Sequence, residues 1–266
     1  MGILFLIYGK ITMPEYYETE EQVNEYLVFH YASLEQTLPW GIAPHQAFGF
    51  HAQLAECIKP SQLPTHSRAL DLGCSVGRTS LELSRYCSEV VGVDFSHAFI
   101  DRANEVLRTE KIPLILKREG QLGDAVINQL PIDVNPKRVS FLQGDAEALP
   151  DSIGRFDAII FANVLDRLAH PRRALERLAD ISNPGAQLVV CSPFTWWDEF
   201  TAPEERLGGF KRDGKEVTSH DSITSVLEQN FSLEETLDLP FLIREHERKY
   251  HFSVAHTSIW TRMDGQ

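Results

Sequence analysis

The stretch RALDLGCSVGRTS, Arg68 to Ser80, reads as a short buried strand, a glycine turn and the start of a helix. The same unit recurs along the chain. EVVGVDFS is a second strand and HAFIDRANEVLRT a second helix, and RVSFLQGDA, FDAIIFANVLD, PRRALERLADI and AQLVVCSP continue the alternation. Strands alternating with helices of this length predict an α/β fold built on a doubly wound, mostly parallel sheet. Past Val217 the pattern changes. FSLEETLDL and KYHFSVAHTSIWTR read as two strands with no long helix between them, predicting an antiparallel pair at one sheet edge.

Upstream of the first strand, QVNEYLVFHYAS has apolar residues at helical spacing until Pro39, Gly41 and Pro44 break it, so an N-terminal helical cap is expected. Residues 111–138 exceed an ordinary connection and predict a small insertion. The expected division is a loosely packed tail over residues 1–13, with Met13 a candidate start, a helical cap over 14–66 and the main domain over 67–266. The apolar run in MGILFLIYGK follows no basic stretch and is too short to span a bilayer.

Composition narrows the function. At 266 residues and 43% hydrophobic content the chain can bury a substantial core. A formal net charge of -13 would repel a phosphate backbone, which disfavours nucleic acid as a partner. Cys57, Cys74, Cys87 and Cys191 form no Cys-x-x-Cys pair and no disulfide framework, so reduced thiols in a cytoplasmic protein are expected. The histidines lack ligand-like spacing with carboxylates, and no metal site is expected.

The glycine turn is not a dinucleotide fingerprint. G-x-G-x-x-G needs a second glycine where this chain has Ser75, and no Walker lysine follows. Acids end three successive strands instead. Asp71 precedes Gly73 at the carboxyl end of the first strand, where open sheets place ligands, and it suits an ammonium group. Asp94 ends the next strand at ribose-binding spacing, and Asp145 ends the following one, within reach of an exocyclic amine. Capping of turns and helices is the competing reading of these acids.

Three strand-end acids after a glycine turn resemble the class I S-adenosylmethionine-dependent methyltransferases. The resemblance implies a Rossmann-like fold, S-adenosylmethionine as cofactor and S-adenosylhomocysteine as product. It also implies a cofactor site of Asp71, Gly73, Cys74, Gly77, Asp94, Phe95, Ser96, Asp145, Ala146 and Asn163. Ser75 departs from the commonest glycine pattern of that family.

Over nearly the whole chain the sequence is similar to a narrower group. YYETEEQVNEYLVFHY, LDLGCSVGRTSLELSR, VVGVDFSHAFIDRA, FANVLDRL, SPFTWWDEFT and LPFLIREHERKYHFSVAHTSIW resemble the methyltransferase module at the carboxyl end of bifunctional ovothiol-synthesis enzymes. This implies methylation of 5-thiohistidine on the ring nitrogen nearer the side chain, giving ovothiol A. A separate sulfoxide synthase and lyase would supply the substrate.

Several residues are expected to serve that acceptor. Arg244 would grip its carboxylate, because arginine pairs with carboxylates bidentately. His246 and Asp166 are the candidates to fix the ring tautomer or take a proton, Asn163 would orient substrate or cofactor, and Tyr16 and Tyr17 would close over the site. Two readings stay open for Trp196 and Trp197: they stack on a planar heterocycle or face the sulfonium, or they plug the core. Three function classes compete with this one: a nicotinamide oxidoreductase, a non-catalytic binding partner, and a methyltransferase acting on another small imidazole or amino acid.

Overall fold

The structure is a computed structural model and describes residues 13–40 and 44–264. The expected tail therefore lies outside the described residues except for Met13, which opens the short helix α1 (Met13–Tyr16).

The strands in chain order are β1 (Arg68–Leu72), β2 (Glu89–Asp94), an inserted pair β3 (Lys111–Glu119) and β4 (Leu122–Gln129), then β5 (Val139–Gln143), β6 (Phe156–Ala162) and β7 (Ser182–Ser192). A small hairpin, β8 (Phe210–Arg212) and β9 (Lys215–Val217), precedes the long strands β10 (Phe231–His246) and β11 (Lys249–Arg262). Seven of them form one sheet in the order β10-β11-β7-β6-β1-β2-β5. The five from β7 to β5 are parallel, with Leu70 level with Val91 on one side and Ile159 on the other. β11 runs antiparallel to both β7 and β10. The expected doubly wound fold with an antiparallel edge pair is what the chain adopts.

This order has a functional consequence. From β1 the chain winds outward through β2 to β5, then returns to the other side of β1 as β6. The connections leaving the carboxyl ends of β1 and β6 therefore part in opposite directions, opening a crevice in which such sheets hold ligands.

Both faces of the sheet are covered. On one, α2 (Glu20–Tyr31), which the short α3 (Leu34–Thr37) follows, α4 (Phe50–Glu56), α5 (Arg78–Leu83) and α6 (His97–Thr109) bury Leu27, Leu54, Leu81 and Ala103 against Ala69, Val90 and Ile160. On the other, α7 (Pro171–Asp180) and α8 (Ser219–Leu227) pack Leu175, Leu178 and Leu227 with Phe156, Phe161 and Trp260. α6 shows why the sequence folds this way locally. Phe99, Ile100, Ala103 and Val106 recur on one helical face and are buried, and the Ser96 hydroxyl accepts the Phe99 amide at 3.1 Å as an N-cap. Burial of each large side chain of that face contributes about 1.5–3 kcal/mol.

The cap is tied to the sheet by specific bonds. The Tyr31 hydroxyl at the end of α2 donates to the Val76 carbonyl in the glycine turn at 2.7 Å. Asn24 exchanges two hydrogen bonds with the backbone of Ile115, at 2.9 and 2.7 Å, so the β3–β4 hairpin docks on α2 instead of joining the sheet. β10 is longer than FSLEETLDL suggests and runs through Pro240 to the hairpin tip. Proline is tolerated there because β10 is the edge strand, with a partner on one side only.

Candidate active site

At the crevice between β1 and β6 the structure encloses a cavity of about 440 Å³, within the range of small-molecule sites. Its first wall is the glycine turn. Gly73 has φ +84°, donates its amide to the Val93 carbonyl at 2.7 Å, and could carry no Cβ, which would lie 1.9 Å from Val164 Cγ2. Ser75, which departs from the commonest glycine pattern of the resembled family, takes φ +49° and is steadied by its amide donating to Asp94 Oδ2 at 2.8 Å.

The three strand-end acids line the cavity. Asp94 accepts from the Ser75 amide through Oδ2 and from the Ser96 amide at 2.9 Å through Oδ1, so it caps the turn and faces the cavity at once. A carboxylate has about four acceptor positions, so two backbone bonds leave room for ribose hydroxyls. Burial pushes Asp94 up to about 6 despite the amides of Ser96 and Ser75, which favour its ionised form. Asp71 is 3% exposed and accepts the Ser80 hydroxyl at 2.6 Å. Burial is the main cause that carries it up to about 7, with nearby Asp94 adding to the rise and Ser80 opposing it. Asp145 closes a turn by accepting the Glu147 amide at 2.8 Å. Phe95, Ser96, Cys74 and Ala146 also line the cavity.

Gly77 does not. It sits at φ +89° before α5, and a Cβ there would meet the Phe141 ring at 2.2 Å. Its requirement for glycine is a matter of packing and backbone conformation, not of contact with a ligand.

The loop after β6 supplies the opposite wall. Asn163 has φ +57°, donates its amide to the Cys191 carbonyl at 2.8 Å, and keeps Oδ1 buried with no partner. Asp166 is fully buried; Oδ2 accepts the Thr195 amide at 2.7 Å and pairs with Arg167 at 3.1 Å, while Oδ1 has no partner. Arg167 is the one permanent cation among the described residues lining the cavity. Tyr17 lines the mouth with its ring 6.4 Å from Phe200. Glu18, accepting the His97 and Ala98 amides at 3.0 and 2.9 Å, fixes that segment on the start of α6. Tyr16 packs against Tyr17, outside the lining.

Four further expected acceptor residues lie elsewhere as well. Arg244 is buried behind the cavity wall, where its guanidinium donates to the carbonyls of Gln36 and, at 2.9 Å, Lys117. His246 lies near the β10–β11 tip, its Nδ1 accepting the Arg248 amide at 3.2 Å. Trp196 packs in the core and donates to Ser219 Oγ at 2.9 Å, the core-plug reading. Trp197 stacks beneath the Arg167 guanidinium at 4.6 Å, so the cation on its face belongs to the protein.

The inner end of the cavity holds residues that the sequence reading passed over. Tyr26, Phe29 and His30 on α2, Phe50 and His51 on α4, and Phe241 on β10 form an aromatic chamber. The Phe-His pairs of VFHY and GFHA were the available signal. The two imidazoles lie 3.7 Å apart between centroids. His30 Nδ1 accepts the Arg78 amide at 3.3 Å, which places its ring proton on Nε2. Burial, with His51 and Arg78 adding to it, holds His30 well below the usual range; burial and Arg78 lower His51 to about 3. Both rings are neutral at physiological pH.

Four further features bound the chemistry. Cys57, Cys74, Cys87 and Cys191 are buried free thiols. Among the described residues no cluster of three or more His, Cys, Asp or Glu could hold a metal ion. No described helix is long and apolar enough to cross a membrane. The unpartnered oxygens of Asn163 and Asp166 leave acceptors beside the three acids, a set of groups that fits a nucleoside bearing an amino-acid tail.

Comparison with known proteins agrees with this geometry. Residues 70–190 match the methyltransferase domain family. The chain is 27% identical over 136 residues to a demethylmenaquinone methyltransferase of Clavibacter sepedonicus, covering 51% of this chain and 42% of that protein. It spans about half or less of the length of the curated relatives it matches first. Two solved structures share the fold. Magnesium protoporphyrin IX methyltransferase from Synechocystis with bound S-adenosylhomocysteine aligns with a TM-score of 0.55 at 15% identity, over 94% of this chain and 97% of that one. The [4+2]-cyclase SpnF aligns with a TM-score of 0.59 at 14% identity, over 96% and 97%. The fold therefore does not by itself name a reaction. The family match spans the glycine turn and all three strand-end acids, so residues 70–190 resemble a methyltransferase domain, with the class I methyltransferase fold and S-adenosylmethionine as the cofactor.

Proposed function

We propose that this chain transfers the methyl group of S-adenosylmethionine to a ring nitrogen of 5-thiohistidine, giving ovothiol A. The sequence resemblance from about Tyr16 to Trp260 suggests the acceptor. The observation that carries the reading is the cavity's division into an acid-lined end at Asp71, Asp94 and Asp145 and an aromatic end at Phe29, Phe50 and Phe241, joined by Asn163 and Asp166. In this reading Asp71 takes the cofactor's ammonium, Asp94 its ribose and Asp145 its adenine amine, with Phe95, Ser96 and Ala146 alongside. The cofactor supplies an electrophilic methyl whose bond to sulfur breaks toward sulfur as the bond to nitrogen forms.

The protein's part is positioning and exclusion of water, which can provide most of the rate in such a displacement. The aromatic chamber receives the planar ring. Arg167, which lines the cavity where Arg244 does not, takes over as partner for the substrate carboxylate, and the vacant Asp166 Oδ1 accepts from its ammonium. The neighbouring thiolate of the acceptor offsets charge developing on its ring, so no strong base is needed. The test is incubation with S-adenosylmethionine and 5-thiohistidine, histidine or no acceptor, with products located by fragmentation mass spectrometry. Ring-methylated thiohistidine with histidine untouched is the expected result; methylation of histidine alone, or of neither, refutes the acceptor.

A further inference from the structure

His51 is 8% exposed and lines the aromatic end of the cavity. One ring nitrogen, Nδ1, lies 3.0 Å from the Thr79 hydroxyl, while Nε2 is buried with no partner. An orphaned polar atom in an apolar enclosure costs about 1–3 kcal/mol, and a ligand that bonds to it recovers that cost. Its surroundings restrict what such a ligand can be. The flanking surfaces are the rings of Phe29 at 4.6 Å, Phe50 at 5.6 Å and His30 at 3.7 Å. The titratable and charged groups facing the pair are Tyr26 and Tyr31 on α2 and Arg78 on α5. The Arg78 guanidinium is itself paired with Glu82 at 2.7 Å; with aromatic walls and this cation behind them, the chamber favours a planar ring without positive charge.

Resting on the thiohistidine reading, we propose that His51, braced by Thr79 and His30, selects the tautomer of the acceptor ring. With the His51 proton on Nδ1 and donated to Thr79, Nε2 presents a lone pair and accepts the hydrogen of one acceptor ring nitrogen. The other ring nitrogen of a neutral imidazole then necessarily carries its lone pair, which faces the transferring methyl. His51 is thus an acceptor-binding residue that stays neutral throughout, and Thr79 is a positioning residue acting through it.

The test is calorimetric titration of the protein, loaded with S-adenosylhomocysteine, with 5-thiohistidine, for the wild type and for His51→Phe, His51→Gln and Thr79→Val. The expected outcome is a 5-thiohistidine affinity about 10- to 100-fold weaker in His51→Phe. Partial recovery is expected in His51→Gln, whose side-chain oxygen can still accept, and an intermediate loss in Thr79→Val. Affinity for S-adenosylhomocysteine alone stays unchanged. Should His51→Phe fail to fold, the Gln and Val variants decide the question. Thiohistidine affinity equal to wild type in the folded variants overturns the proposal, and so does a loss of cofactor affinity instead. If the wild type itself binds no 5-thiohistidine, the acceptor identity falls, and with it the role of His51 as reader of that ring.

Discussion

With Asp71 paired to the cofactor ammonium as proposed, cofactor binding depends on pH in a calculable way. Its carboxyl is carried up to about 7 in the cofactor-free protein, chiefly by burial, and an ammonium placed against it would bring that value down. The free protein therefore holds a proton near neutrality that binding must release, so affinity is full well above pH 7 and falls as pH drops through that value. With the value about 7, roughly three in four Asp71 side chains are ionised at pH 7.5 and about one in eleven at pH 6. Affinity for S-adenosylhomocysteine should then weaken about eightfold between those pH values, or about 1.2 kcal/mol. Asp94, carried up to about 6, adds about a further twofold. Titration calorimetry at the two pH values, on the wild type and on Asp71→Asn, measures this directly. The variant should bind more weakly and retain only the smaller Asp94 dependence, because Asn can still accept the Ser80 hydroxyl. A wild-type affinity that does not change with pH, or an Asp71→Asn profile as steep as the wild type's, would refute the pairing of Asp71 with the cofactor ammonium.

Two substitutions separate packing from recognition. Arg244→Gln withdraws donors from the carbonyls of Gln36 and Lys117 and should cost about 1–3 kcal/mol of stability in denaturant unfolding, with the KM for 5-thiohistidine unchanged; a raised KM with unchanged stability would restore Arg244 to the site. Gly77→Ala forces a methyl toward Phe141 at positive φ. It should lower stability by about 2–4 kcal/mol through overpacking and backbone strain, visible as a lower Tm, and an unchanged Tm would show that the turn relaxes freely.

Strand ends are legible in a sequence because they depend on local pattern. The runs ending at Asp71, Asp94 and Asp145 announce buried strands, and in a parallel sheet every carboxyl end points to the same edge. The three acids therefore had to converge, and they do. The C-terminal strand pair was harder to read. Arg244 and His246 stand two residues apart on β10, and successive strand residues face opposite ways, so the choice was between them and the alternate positions Phe241, Ile243 and Glu245. The structure turns Phe241 and Ile243 to the cavity and buries the Arg244 guanidinium against backbone carbonyls on the other side. Nothing local sets that choice; the antiparallel register with β11 does, shifted by an irregularity between Arg244 and His246.

The same limit applies to His30 and His51. Each sits in an ordinary helical stretch, 21 positions apart, and their stacking exists only because α2 and α4 pack on the same face of the sheet. By itself the sequence determined the alternation of strands and helices, the glycine turn and the acid-lined edge of the sheet, since periodicity and strand direction are local properties of the chain. Which side of β10 lines the cavity, which arginine stands in it and which histidines meet inside it were decided by the tertiary structure, because contacts between distant segments arise from packing and register.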